Sequence, residues 1–186
     1  MAKAKSITDL SPNLSYGESA ARIVSTRAGE VIEQARGVLD TTDIERVHDM
    51  RVATRRLRAA LEVFEPCFPG KPYRRALREV KRIADGLGER RDRDVAIATL
   101  DGFNAQMPAP DRRGIESLIG RLRDEQAEAN LELAPLVDEG NLRELIEGLE
   151  ELVASARGRE GPGGEGAPGE EAASGDGAAT NGGPGR

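Results

Sequence analysis

Four arginines and the chain's one histidine fall within eleven residues, His48–Asp49–Met50–Arg51–Val52–Ala53–Thr54–Arg55–Arg56–Leu57–Arg58. Guanidinium groups make forked, charge-assisted hydrogen bonds to phosphate and carboxylate oxygens, and an imidazole can donate to the same atoms. At about 100° per residue, His48, Arg51, Arg55 and Arg58 share an arc of roughly 80° on one helix face, with Met50, Leu57, Leu61 and Phe64 on the far side. One face of such a helix packs and another meets negative charge. A second basic stripe follows at helical spacing, Arg74, Arg78 and Lys81, flanked by Arg75 and Arg82. Two successive amphipathic helices of this design predict a surface for a phosphate-rich polyanion, gripped by many modest contacts that release counterions. The competing reading is a pair of solvated faces laced by i,i+4 ion pairs. Asp49, Glu62 and Glu65 supply too few partners for that.

Other chemistries find less support. A metal phosphohydrolase draws on several His and Asp ligands; here His48 stands alone, and Asp92 and Asp94 join Asp49 only if the fold happens to bring them together. No Gly-rich phosphate loop of the Walker type is present. Cys67 lies between two prolines, with no base partner in the pattern, and as the single cysteine it excludes an intrachain disulfide framework. The expectation is a protein without catalysis, metal or cofactor.

The charge is segregated along the chain. The net charge is −6 over 186 residues, yet residues 46–93 hold fourteen Lys or Arg against seven Asp or Glu, whereas residues 94–158 hold six against fourteen. A basic segment within an acidic chain is the footprint of an anion-binding patch. Of the 27 basic residues only Lys3, Lys5, Lys71 and Lys81 are lysines.

The elements that would position these residues are helices. Aromatics are few, β-branched alternation between turn signals is absent, and apolar residues recur at helical spacing. Caps and breakers place about six. A capping box at Ser15 and Glu18 opens the first, to about Val38. A second box at Thr42 and Glu45 opens the helix that carries the basic motif, ending near Glu65 before Pro66. The third runs from Pro72 to about Leu87, with Tyr73, Leu77, Val80, Ile83, Ala84 and Leu87 on its packing face. Gly86 and Gly88 break the chain there. The fourth spans about Arg90 to Gln106, with Asp92 and Asp94 favouring its N-terminal dipole. The fifth spans Asp111 to Leu133, and the sixth, capped by Asn141 and Glu144, ends near Arg157. Short connections predict an antiparallel bundle. Residues 1–14 read as a flexible N-terminus, 15–157 as the helical domain, and 158–186, rich in Gly, Pro, Ala and Glu, as a disordered tail. The first residues carry no apolar signal segment and no apolar run approaches a membrane span, which predicts a soluble cytoplasmic protein with no membrane partner.

The run Val47–His48–Asp49–Met50–Arg51–Val52–Ala53–Thr54–Arg55–Arg56–Leu57–Arg58–Ala59–Ala60–Leu61, ending in Phe64, resembles the signature of the CHAD (conserved histidine α-helical) domains. Lys81–Arg82–Ile83–Ala84, Leu87–Gly88 and Arg91–Asp92–Arg93–Asp94–Val95 resemble that family's second motif in order and distance. The likeness covers roughly residues 16–157. It implies an all-helical fold that binds inorganic polyphosphate without catalysis, and an association with polyphosphate granules. Carried over by motif, His48, Arg51, Arg55, Arg56, Arg58, Lys81 and Arg91 would be binding residues; Arg74, Arg75, Arg78 and Arg82 join them from the second stripe. Members of the family usually have a second helical half, and here the Gly/Pro-rich tail stands in its place. The expectation is therefore one lobe, completed by a homodimer or working alone. A nucleic-acid-binding or scaffold protein using the same basic face is the alternative.

Overall fold

A computed structural model describes residues 3–8 and 10–157. It contains five α-helices and no strand among them: α1 (Tyr16–Ala35), α2 (Ile44–Val63), α3 (Gly70–Asn104), α4 (Arg112–Leu133) and α5 (Glu139–Ala156). The all-α expectation holds, with one helix fewer than expected. The tail expected to be disordered lies outside the described residues.

Local chemistry sets most of the ends. The Ser15 hydroxyl accepts from the Glu18 N–H at 3.1 Å, and the Glu18 carboxylate accepts from the Ser15 N–H at 3.0 Å, so the expected box closes reciprocally. Those hydrogen bonds to Ser15 hold the Glu18 carboxyl below its ordinary pKa. At the other end α1 stops earlier than Val38. Gly37 takes a left-handed φ of 70°, where a Cβ would also lie 3.0 Å from the Arg46 guanidinium; glycine suits that place. Two expected caps shift. Asp43, not Thr42, caps α2 by accepting from the Glu45 N–H; Thr42 instead donates to Asp40 through both N–H and hydroxyl. Asp138, not Asn141, caps α5, accepting from the Asn141 N–H. In each case an Asp a few residues upstream or one downstream outcompetes the expected cap, since a carboxylate is at least as good an acceptor at a helix start.

The larger correction is α3. Gly86 and Gly88 do not break it: one helix of 35 residues spans both expected helices, about 52 Å at about 1.5 Å per residue. A mid-helix glycine costs about 1 kcal/mol against alanine, and the unbroken burial of Ile83, Leu87, Arg90, Asp94 and Ile97 along one face outweighs it. Gly86 is a close-approach point: a Cβ there would lie 3.2 Å from the Leu136 side chain and 3.4 Å from that of Leu133. Asp92 and Asp94, expected at a helix start, therefore sit in mid-helix.

The helices α1, α2, α3 and α5 enclose one core, made chiefly of Val24, Val31, Val47, Met50, Leu57, Leu61, Val80, Ile83, Leu87, Leu149 and Leu152. Tyr16, Phe64, Phe68 and Tyr73 close one end of it: the Tyr16 and Phe64 rings are 5.0 Å apart, those of Phe68 and Tyr73 6.1 Å, and the Tyr16 hydroxyl donates to the Val63 carbonyl at 2.9 Å. Burial raises the Tyr73 phenol above its ordinary pKa, with Glu65 and Glu62 adding to the shift. The last two helices depart from the expected hairpin. Pro135 sits in a single 3-10 turn, Ala134–Leu136, which jogs the chain without reversing it. So α4 packs along the C-terminal half of α3 and α5 along its N-terminal half, end to end.

Candidate anion-binding face

The side chains singled out from the sequence fall into three groups. On α2, His48, Arg51 and Arg58 are half-buried and Arg55 is exposed; the helix runs unbroken beneath them, so the arc is kept. Arg58 is held by Glu62 one turn on, Nε to Oε1 at 2.9 Å. The same Glu62 oxygen lies 3.8 Å from the Lys81 ammonium of α3. At the other end of the helix pair, the Arg91 guanidinium donates to the Ile44 carbonyl at 2.9 Å and stands 3.6 Å from the Glu45 carboxylate. These two cross-helix ties fix the register of α2 on α3. Arg51 and Arg55 then stand opposite the stretch Ala84–Gly88, where a Cβ added to Gly88 would meet nothing within 4 Å. The floor between Lys81 and Arg91 is thus low and open. Among the described residues neither Arg51 nor Arg55 is paired with a carboxylate.

Arg56 belongs to a second group. It lies about 100° around α2 from Arg55, away from the arc, half-buried and already engaged within the protein. The third group is the basic stripe of α3, which divides. Arg74 folds back over Gly70, and Arg78 is exposed with its Nε 4.0 Å from Glu79. Arg75 and Arg82 turn to the opposite side. With Lys71 they line a groove of about 740 Å³ between α3 and α5, whose other wall carries Glu144, Glu147 and Glu151, and Arg82 pairs with Glu79 at 2.7 Å. The arrangement therefore brings His48, Arg51, Arg55, Arg58, Lys81 and Arg91 to one helix–helix groove, and sets Arg75 and Arg82 in another, partly neutralised one.

The residues that hold this groove together include four that sequence reasoning missed. Arg90 and Asp94 are 0 % and 1 % exposed and pair at 3.1 Å. Gln126 of α4 donates to the same Asp94 oxygen at 2.6 Å. Arg90 also donates to Asn130 at 2.7 Å, and the Asn130 amide donates to the Leu39 carbonyl in the α1–α2 loop at 2.9 Å. This network locks α3, α4 and the start of the α2 hairpin beside Arg91. The signal was present: Arg90 and Asp94 are in phase with the apolar stripe of Ile83, Leu87 and Ile97.

Among the described residues no three His, Cys, Asp or Glu side chains gather as a set that could hold a metal ion, and no helix is long and apolar enough to cross a membrane. Cys67 is buried at the α2–α3 corner. A separate groove of about 910 Å³ between α1 and α5 is lined by apolar side chains such as Ile32, Leu142, Ile146 and Val153, and its two arginines, Arg36 and Arg143, are joined there by Glu139, Glu147 and Glu150.

By class the chain is an all-α bundle, with cations of α2 and α3 set along one helix–helix groove. Residues 22–178 match the family model of the CHAD domain, and the chain belongs to that family. The match begins within α1 and runs past the last described residue. No curated protein matches the chain.

Proposed function

We propose that this protein binds inorganic polyphosphate, without turning it over, along the groove between α2 and α3. The observation that carries the reading is the cation row His48, Arg51, Arg55 and Arg58 facing Lys81 and Arg91 across an open floor at Gly88, in a chain of the CHAD family. Cations spaced along a groove suit a linear polyanion, and nothing in the row reads bases or shapes a pocket for a single phosphate. The row lies on one side only, so a second copy would supply the opposing wall of a channel; homodimerisation around the ligand is part of the proposal. Retention in the cytoplasm, with polyphosphate granules as the place of action, follows from the same ligand. Changing Arg51 and Arg55 together to Ala should abolish retention on immobilised polyphosphate; a double variant retained like the parent would show that the face lies elsewhere.

Nucleic acid or an acidic protein partner could use the same guanidiniums. Tyr73 is buried, so the face offers no aromatic platform for stacked bases. RNA or DNA that displaces polyphosphate at equal phosphate concentration would move the assignment to nucleic acid.

A further inference from the structure

Two carboxylates stand beside cations of the α2–α3 groove, Glu45 at Arg91 and Glu62 between Arg58 and Lys81, and Glu62 is the one that meets cations of both helices. At about 100° per residue it falls inside the same arc as Arg51, Arg55 and Arg58. One of its oxygens serves two cations from two helices, Arg58 at 2.9 Å and Lys81 at 3.8 Å. The Arg58, Glu62 and Lys81 side chains are 41 %, 43 % and 43 % exposed, so an anion from solvent can reach all three. This is where a basic group of α2 and one of α3 face the same point, and an internal anion occupies it.

We infer that Glu62 is a specificity-determining residue, an intramolecular counter-anion that sets a minimum ligand length. The inference rests on the anion-binding reading above. A phosphate chain that takes the Arg58–Lys81 position must displace the carboxylate or leave it in place and suffer its repulsion. A short anion such as tripolyphosphate contacts few groups at once, so losing this position removes a large share of its binding. A long chain compensates by extending over Arg55 and Arg51, which have no carboxylate partner among the described residues. Orthophosphate and short condensed phosphates are thereby screened out, and long chains are admitted.

The test is titration of the full-length parent, Glu62→Gln and Glu79→Gln with tripolyphosphate and with long-chain polyphosphate at one fixed salt concentration. Glu79 is the charge-matched control: it pairs with Arg82 on the α5 side of α3, and its loss raises the net charge by the same amount. Exposed ion pairs are worth up to about 1 kcal/mol, which corresponds to about fivefold in affinity. Glu62→Gln should tighten tripolyphosphate by about that factor and long chains by less, while Glu79→Gln changes the ratio between the two ligands little. A parent that binds, and loses binding when Arg51 and Arg55 are both changed to Ala, but whose affinity for tripolyphosphate Glu62→Gln leaves unchanged or lowers, overturns the inference alone; Glu62 then only holds Arg58 and Lys81 in place. Equal gains for Glu62→Gln and Glu79→Gln overturn it too, because net charge would explain both. Binding by neither parent nor Glu62→Gln overturns the reading of the face together with the inference.

Discussion

Taking a guanidinium and a carboxylate out of water costs more than their attraction returns unless the remaining hydrogen-bonding groups are also met. Arg90 and Asp94 meet that condition in part. Gln126 and Asn130 complete the Arg90 Nη1 and Asp94 Oδ1 positions, whereas Arg90 Nη2 and Asp94 Oδ2 are buried with no partner. Removing one member therefore strands the other. Asp94→Ala should cost about 3–5 kcal/mol, the usual result of leaving a buried charge uncompensated, read as a lower midpoint in urea unfolding. Replacing both residues by Leu should cost far less than the two single changes added together, because neither charge is left behind. Additive single and double effects would mean that the pair is not coupled as its geometry requires. Arg51 and Arg55 of the proposed face carry no comparable burden: among the described residues neither pairs with a carboxylate, and Arg55 is exposed, which leaves their substitutions free to report on binding.

At the scale of elements, α3 shows how far the sequence could be read. Its packing face was legible from spacing alone: Tyr73, Val80, Ile83 and Leu87 are buried, and Leu77 and Ala84 half-buried. The α2 arc was legible too, since helical spacing is local. The start of α1 was legible because a capping box is made by four neighbouring residues. What the sequence did not reveal was set by distant contacts. Gly86 and Gly88 look alike in a row of letters, but Gly86 is where Leu133 and Leu136 press on the helix and Gly88 faces open space. The division of Arg74 and Lys81 from Arg75 and Arg82 depends on where α5 lies, and the burial of Arg90 depends on α4. The two glycines separate in a measurable way. Gly88→Ala should stabilise the protein by up to about 1 kcal/mol, the helix-propensity difference with no clash to offset it. Gly86→Ala gains the same propensity but requires the Leu136 and Leu133 side chains to move, so it should be neutral or destabilising. Thermal unfolding of the two variants beside the parent decides; a gain at Gly86 as large as that at Gly88 would show that the Ala134–Leu136 turn packs more loosely than its 3.2 Å approach indicates.

For the whole molecule the separation of charge is the governing fact. Residues 46–93 are strongly basic and residues 94–158 strongly acidic, and the fold sets part of the acidic segment, Glu144, Glu147 and Glu151, against Lys71, Arg75 and Arg82. The acidic face of α5 thus lies against one flank of α3, and the cations of the α2–α3 groove lie away from it. Two consequences follow for the proposed ligand. Binding driven by displaced counterions weakens linearly in log–log coordinates with salt, by roughly 0.7 for each phosphate engaged on a single-stranded polyanion. Loss of one engaged arginine, as in Arg55→Ala, should lower that slope by about the same amount, whereas loss of Arg75, committed to the other groove, should leave it unchanged. Stoichiometry then tests the proposed dimer. Titration with long polyphosphate, followed by light scattering, should take the protein to twice its starting mass near two chains per ligand and back toward one chain per ligand when polyphosphate is in excess, since surplus ligand separates the two walls. A mass that never doubles would leave the single row of α2 and α3 as the entire binding surface, and would require its slope with salt to account for the full affinity.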